Sequence, residues 1–284
     1  MKAIVLVKDK TAVAGVIEFI LLIAMFAIIL ALIQVFYIPE IMAQDESENM
    51  EEISNQFSRL KTMIDIQSKK ESEIPLSTRI PFGNKQLPYF VTVPSSGYLS
   101  IVDRDITDSY IEINDQYYVD LTDIKYKADN AYFTHQDYIY EGGGVIIKQP
   151  EGNPVMWQNP SFNASPMRDQ HLDVNNIVMY FDIPVLVCKD HDNFGGGYSS
   201  CYITTNYSDE LSDSNWNYLP NFSNITIKSD YSIAWFKFIN KTFEKDVKQN
   251  ISFYRGSDFL EIREKGGIPI NFYYRKKCIF TRID

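Results

Sequence analysis

The sequence contains few cysteines, histidines and tryptophans, with three of each in 284 residues. Three cysteines are too few for the dense disulfide framework of small secreted scaffolds. The histidines, His135, His171 and His191, lie far apart, and none belongs to a metalloprotease, nucleotide-binding or redox motif. Carboxylates are numerous, but no spacing singles out a catalytic pair. The sequence therefore predicts no enzyme activity, no catalytic residues and no bound cofactor.

Basic residues are also in short supply. The chain has 27 Lys and Arg against 37 Asp and Glu, a formal net charge of −10. Binding to nucleic acid needs a basic stripe, and only the short run Arg275-Lys276-Lys277 is basic. Alanine is rare after residue 45, whereas tyrosine, phenylalanine and Ile/Val/Thr segments recur. This composition argues against nucleic acid as a partner and favours strands over helices.

The chain has one long apolar segment near its start. Phe19 to Ile33 carry no polar side chain, and extension to Ile38 adds only Gln34. As a helix, residues 11–38 would be about 42 Å long, more than the roughly 30 Å hydrocarbon core of a bilayer. A signal peptide has an apolar region of only about 7–15 residues. We therefore expect residues 12–38 to form a transmembrane helix that stays with the mature protein.

The charges beside this segment predict its orientation. Lys2, Lys8 and Lys10 precede the helix, whereas residues 45–52 are strongly acidic. Positive residues remain on the cytoplasmic side of a membrane. The sequence predicts a single-pass protein of the cell membrane, with its N-terminus in the cytoplasm and everything after residue 40 outside the cell.

Glu18 interrupts the apolar run. A carboxylate without a partner at that depth costs a few kcal/mol. The residue is therefore expected either to rest at headgroup level or to bind a partner.

The residues around Glu18 resemble a known targeting signal. Lys8-Asp9-Lys10-Thr11 followed by AVAGVIEFIL is similar to the class III signal of archaeal type IV pilins and archaellins, in which a charged patch precedes a motif such as AVSPVIGVIL and a long helix. The resemblance covers about residues 8–38, with departures at Glu18 and Phe19. The matching positions are Ala12, Val13, Val16, Ile17, Ile20 and Leu21.

This resemblance implies processing and assembly. A prepilin-type peptidase would cut near Thr11 and Ala12 and release residues 1–11 as a cytoplasmic leader. The helix 12–38 would then be held in membrane lipid, or pack with other pilin-like subunits in an extracellular filament. Bacterial pilins use a glutamate to pair with the neighbouring subunit's new amine, and Glu18 is the candidate for that assembly role. The alternative is an anchored ectodomain that binds an envelope component, a sugar or a partner without polymerising.

Residues 39–70 predict an amphipathic helix. Pro39 is expected to end or kink the membrane helix before it. Apolar residues then recur at helical spacing, which gives one apolar face. These residues are Met50, Ile53, Phe57, Leu60 and Ile64. Such a helix would lie against a β-rich head, although a short coiled-coil stalk would show the same stripe.

Residues 71–284 predict an extracytoplasmic, mainly antiparallel β head, a sandwich or roll, so the fold class is α+β. Residues 69–88 read as a linker, Gly142–Gly144 as a hairpin turn, and 149–166 as a soft boundary between two subdomains or two layers of one. The strand candidates are YFVTV, GYLSIV, SYIEI, QYYVDL, DYIYE, GVIIK, NIVMYFDIPVLV, SCYITT, NITIKS, SIAWFKFI, QNISFYR, FLEIRE and INFYY.

The cysteines lie in the second half of the head. Cys188 and Cys201 bracket a glycine-rich loop, and a disulfide between them would stabilise the fold by about 3 kcal/mol. Cys278 is left over, either as a small buried hydrophobe or for an intermolecular bridge. Within the loop, Asp190, His191 and Asp192 are weak candidates for a cation site. Solvated loop charge is the alternative for these three residues.

Six N-x-S/T sequons mark potential surface glycosylation of an exported protein. All of them lie beyond residue 160. Their asparagines are Asn163, Asn206, Asn221, Asn224, Asn240 and Asn250.

Overall fold

The computed structural model describes the backbone of residues 10–83, 93–103, 107–170, 173–188, 193–220 and 222–284, and within these ranges the side chains from residue 14 onward. The predicted strand YFVTV lies almost wholly outside these residues. So do the candidate cation ligands Asp190, His191 and Asp192, and the sequon at Asn221.

One long helix opens the described chain. Helix α1 (Lys10–Leu32) leads through a π-helical turn (Ile33–Tyr37) into α2 (Ile38–Lys70). Pro39 therefore does not end the helix. It lies in the first turn of α2, where the absent N–H of proline is tolerated, and the wider π turn before it carries a bond from the Ile38 N–H to the Ile33 carbonyl.

Helix α2 is capped by Glu71, whose backbone is left-handed (φ 53°) and whose N–H bonds to the Gln67 carbonyl. The chain then enters a strand, Leu76–Pro81, so part of the predicted linker is in fact β structure. Thr78 and Ile80 point inward along this strand. Its partner strand, whose paired residues lie 119 to 129 positions later in the chain, could not be predicted from the local sequence.

The head contains, among the described residues, seventeen strands and two short helices. In chain order they are β1 (Leu76–Pro81), β2 (Ser96–Val102), β3 (Tyr110–Ile113), β4 (Tyr117–Asp120), β5 (Asp123–Asp129), β6 (Asp137–Glu141), β7 (Gly144–Lys148), β8 (Val155–Gln158), β9 (Phe162–Arg168), β10 (Val174–Val187), β11 (Phe194–Gly197), β12 (Ser200–Tyr207), β13 (Asn217–Leu219), β14 (Asn224–Lys228), α3 (Ser232–Thr242), α4 (Lys245–Gln249), β15 (Ile251–Arg255), β16 (Phe259–Glu264) and β17 (Ile270–Ile283).

The strands form three sheets. Sheet A has the order β1-β12-β17-β10-β9, with β13 also paired to β17; sheet B is β11-β2-β5-β6-β7-β8; and sheet C is β15-β16-β14-β3-β4. Every described pairing is antiparallel except β10 with β17. The predicted α+β class, a long helix followed by a mainly antiparallel head, is confirmed. Each sheet takes strands from both sides of residues 149–166, so this segment connects layers of one interleaved head.

Sheet A is the central layer. One of its faces packs with sheet C and α3 in a core that contains Phe181 and Trp235. The other face packs, over part of its length, with α2 and sheet B in a second core that contains Phe57 and Leu186. Along β10, Phe181 and Leu186 therefore point into different cores, because successive side chains of a strand alternate between its faces.

Two local predictions have opposite outcomes. The hairpin is confirmed, because Gly142 (φ 53°) and Gly143 (φ 85°) join β6 to β7 in a backbone conformation that glycine adopts freely. The strand predicted at SIAWFKFI is wrong, since these residues form α3. Ala234, Trp235 and Phe238 are buried there at helical spacing, which strand alternation would not allow.

Candidate functional site: the N-terminal helix and its attachment to the head

The first part of the long helix lies free of the head. From Ala14 to Tyr37 every side chain except Ile33 is exposed, although nearly all are apolar. These 24 residues extend about 36 Å, enough to cross the roughly 30 Å hydrocarbon core. Within the described ranges, this is the one helix long and apolar enough to span a membrane.

The residues that the signal resemblance singled out lie at the start of this helix. Thr11 and Ala12 belong to its first turns, and nothing is described of their side chains. Glu18 is exposed, as are the apolar residues around it. The geometry therefore places Glu18 on the free part of the helix, where a carboxylate is available to a group outside this chain.

The helix becomes buried at Ile38. Ile38, Met42, Glu46 and Met50 follow one another at intervals of four residues and are all at least 95% buried. The predicted apolar stripe from Met50 to Ile64 continues the same face and is confirmed as core. The helix thus changes from free to docked within one turn, at the end of its membrane-length segment.

Glu46 is the polar centre of this docked face. Its carboxylate is completely buried, and it accepts three hydrogen bonds from successive backbone N–H groups in the loop between β5 and β6. The bonds come from Ala131 to Oε1 (3.0 Å), and from Tyr132 (2.8 Å) and Phe133 (2.6 Å) to Oε2. Three aligned donors compensate a buried negative charge and hold the loop against α2.

Sequence reasoning missed Glu46, because it grouped this residue with the acidic cluster of 45–52. The signal was present in the spacing. Glu46 lies four residues after Met42 and four before Met50, on the apolar face of the helix.

The end of α2 is attached to sheet A by buried amide bonds. The side chain of Gln67 donates to the Thr205 carbonyl (2.7 Å) and to the Ile74 carbonyl (3.0 Å), and accepts from the Thr205 hydroxyl (2.8 Å). The Gln67 amide thus makes three hydrogen bonds, two through its NH₂ group and one through its oxygen. This bond set fixes the last turns of α2 on β12.

A buried lysine completes the attachment. Lys277 is fully buried on β17, and its ammonium donates to the Glu71 carboxylate (2.7 Å), the Asp213 carbonyl (3.1 Å) and the Tyr207 hydroxyl (3.2 Å). The hydrogen bond and the charge of Lys277 lower the pKa of the Glu71 carboxyl. Part of the basic run read from the sequence is therefore an internal contact.

A second polar cluster lies between sheet B and α3. The Glu141 carboxylate accepts bonds from the Ser229 hydroxyl (2.7 Å) and the Trp235 indole (2.7 Å), and its strand partner Asp123 bonds Lys125 (3.0 Å). Burial raises the pKa of Glu141 to about 7 and that of Asp123 to about 6. Both residues are at least 98% buried, so neither carboxylate is open to a substrate.

The predicted Cys188–Cys201 disulfide is not formed, because all three cysteines are reduced in the structure. Cys188 follows β10 and Cys201 lies in β12, and β17 runs between these two strands. Two strand spacings separate the thiol-bearing chains by about 10 Å, beyond the ~7 Å limit between disulfide-linked Cα atoms. The glycine-rich loop between the cysteines contributes β11 to sheet B. Cys278 is buried, and its thiol bonds to the Leu211 carbonyl.

The described sequons differ in accessibility. Asn163 on β9 and Asn240 on α3 are exposed. Asn206 and Asn250 are half-buried, and each donates its side-chain amide to a backbone carbonyl. Asn224 is 94% buried and donates to two carboxylates. The structure therefore leaves the first two as the open glycosylation candidates.

The described residues contain no group of three or more His, Cys, Asp or Glu side chains placed to hold a metal ion. Comparison with protein-family models, curated proteins and solved structures finds no match to this chain. The similarity of residues 8–38 to a pilin signal thus stands on those residues alone. The distinctive feature of the molecule is the abrupt change, at Ile38, from a free apolar helix to a docked one.

Proposed function

We propose that this chain is a pilin-like cell-surface protein of the archaeal type IV class. Its N-terminal helix serves for membrane retention and filament assembly, and its β head faces outward for surface interaction or adhesion. The observation that carries this proposal is the free helix from Ala14 to Tyr37, of membrane length, that continues without a break into a helix docked on a β head.

The free helix needs an apolar partner on all sides. Its exposed side chains surround the axis, so burial against a single surface would leave most of them in water. Lipid supplies such an environment, and a bundle of the same helices from neighbouring subunits supplies another. One segment can therefore serve retention before assembly and packing after it.

The attachment to the head suits a subunit that transmits load. Glu46, Gln67 and Lys277 bond α2 to the head at its beginning and its end, with apolar contacts between them. Because the backbone is helical throughout, a pull on the free helix is carried directly into these contacts. A flexible tether would not couple the helix to the head in this way.

The proposal includes processing by a prepilin-type peptidase near Thr11 and Ala12, with the N-terminus on the cytoplasmic side. Mass spectrometry of the protein purified from its native membrane tests this step. A processed chain should begin at Thr11 or Ala12. A chain that begins at Met1 or Lys2 would leave only the permanently anchored ectodomain.

Glu18 is the proposed assembly residue. Glu18→Ala should reduce the amount of filament seen by electron microscopy of material sheared from cells, while the protein remains in the membrane. Glu40→Ala is the matched control, because Glu40 is an exposed glutamate on the same helix but outside the free segment. Equal filament yield from both variants and the wild type would remove Glu18 from assembly.

A further inference from the structure

The part of sheet A that α2 leaves uncovered carries exposed aromatic side chains. On β17, residues 273, 275, 277 and 279 alternate onto one face. Ile279 lies in the core beneath α2, and Lys277 bonds Glu71 at the end of that helix. Tyr273 and Arg275 therefore lie on the same face, immediately beyond the point where the helix ends.

Three tyrosines from three neighbouring strands form a ladder on this face. Tyr273 of β17 is in register with Tyr180 of β10 on one side and Tyr218 of β13 on the other. The ring centroids are 4.9 Å and 4.8 Å apart, and the planes are nearly parallel. Tyr180 and Tyr218 are nevertheless 44% and 48% exposed.

Trp216 extends the ladder into a wider aromatic platform, which we define as Tyr180, Tyr218, Tyr273 and Trp216. The Trp216 ring meets Tyr180 edge-on at 5.6 Å, while the Arg275 guanidinium covers it at 4.7 Å. Trp216 remains 39% exposed. Cross-strand stacking accounts for the three parallel tyrosines, but it does not account for an exposed tryptophan at right angles to them.

The charges at the platform balance one another. Arg275 donates to both oxygens of Asp182, at 3.0 Å and 3.3 Å, and both side chains are largely buried. In a chain with a net charge of −10, this ion pair adds no net charge to the four uncharged rings of the platform. The charge complementarity therefore favours a neutral partner over a polyanion or a basic protein.

We propose that the aromatic platform binds a neutral carbohydrate. A pyranose ring presents a face of C–H bonds, which packs on aromatic rings, and a rim of hydroxyls that need hydrogen-bonding groups. The platform supplies both: its rings lie beside the tyrosine hydroxyls and beside Asn271, which accepts a bond from the Tyr218 hydroxyl at 3.1 Å. The inference deepens the adhesive role proposed for the head and rests on the head being outside the cell.

The test uses the full chain in phosphocholine nanodiscs, since sugar-based detergents would compete. Hexasaccharides of glucose, mannose, galactose and N-acetylglucosamine are immobilised, with hyaluronan as the acidic counterpart, and the Kd of each is measured. We expect at least one neutral hexasaccharide to bind, and Trp216→Ala and Tyr180→Ala each to weaken its binding at least tenfold.

Trp157→Ala is the matched control, because Trp157 is a tryptophan of similar exposure (44%) on β8 of sheet B. It should leave the Kd within twofold of the wild type. Chemical unfolding midpoints of all three variants check folding, and Trp216, which lies outside the stacked ladder, is the substitution less damaging to sheet A.

Several outcomes would overturn the proposal: no binding to any neutral hexasaccharide, binding to hyaluronan alone, or equal weakening by Trp157→Ala. Concentration-dependent association of the discs that Trp216→Ala abolishes, without carbohydrate binding, would instead assign the platform to contact between copies of this chain. None of these measurements depends on filament assembly, so this inference can fail while the pilin-like function holds, and the reverse.

Discussion

Replacement of Glu141 by glutamine should make the head more stable at neutral pH and remove part of its pH dependence. Glu141 is fully buried between β6 and α3, and glutamine keeps its shape and its acceptor oxygen for Trp235 and Ser229. What the substitution removes is the ionisable group. The effect should therefore appear above about pH 4.5, where the carboxyl ionises in the unfolded wild-type chain but is held protonated in the folded one.

The magnitude follows from the pKa. Burial raises the pKa of Glu141 from an ordinary 4.5 to about 7, against the opposing hydrogen bonds of Trp235 and Ser229. A shift of this size corresponds to about 3 kcal/mol. Because the folded protein holds this proton more tightly than the unfolded chain, the contribution of Glu141 to wild-type stability is greatest below about pH 4.5 and is lost as the pH rises to about 7.

The neighbouring groups alter the curve but not its sign. Burial also raises the pKa of Asp123, from 3.8 to about 6. This group adds a second loss of stability with rising pH, at somewhat lower pH than that of Glu141. Lys125 and Asp230 act on these carboxylates from the packed elements. The two carboxylates in turn raise the pKa of Tyr231, whose ring lies beneath Lys125 and Lys148. The Glu141→Gln variant should keep the loss of stability with rising pH that is due to Asp123, and should lack the part that is due to Glu141.

Denaturant unfolding of the full chain in nanodiscs, followed by tryptophan fluorescence between pH 4 and 8, measures this difference. Wild type and Glu141→Gln should be of similar stability at pH 4.5, and the variant more stable by up to about 3 kcal/mol at pH 8. Glu151→Gln, at an exposed glutamate between β7 and β8, should follow the wild type throughout. Parallel curves for Glu141→Gln and wild type would refute the reasoning.

Three further predictions concern the helix, the thiols and the sequons. Glu46→Gln should destabilise the head by about 3 kcal/mol in the same unfolding assay, because an amide cannot accept all three backbone bonds, whereas the exposed Glu51→Gln should change it by less than about 0.5 kcal/mol. Thiol titration of the denatured, unreduced protein should find three free thiols per chain, and a value of one would restore the predicted disulfide. If the host glycosylates, glycopeptide mapping should find sugar at Asn163 or Asn240 and none at Asn224; an occupied Asn224 would contradict its burial.

The local sequence pattern was sufficient to predict those elements whose structure depends mainly on their own residues. The apolar segment 12–38 predicts the free helix, and the spacing from Met50 to Ile64 predicts the buried face of α2, because helical periodicity is written directly in the sequence. Gly142 and Gly143 predict the hairpin turn for the same reason, since few other residues adopt its backbone angles.

Local pattern failed where a distant partner decides. SIAWFKFI has the aromatic and β-branched residues of a strand, but the face that Trp235 buries against sheet A selects a helix. The spacing of Cys188 and Cys201 in the chain suggests a bridge, yet β17, which joins the sheet between their strands, keeps them apart. Pairing between strands that lie 80 residues or more apart in the chain cannot be predicted from the sequence of either strand.

The sequence by itself determined that this protein has a membrane-length helix, an amphipathic helix after it and a β-rich head, because hydrophobic length and periodicity fix these features residue by residue. Only the tertiary structure decided that Glu46 and Lys277 are internal contacts, and that Trp216, just before β13, meets three tyrosines of β10, β13 and β17 on one open face. The physical reason is that burial and neighbourhood depend on strand order, which brings residues from separate parts of the chain into register.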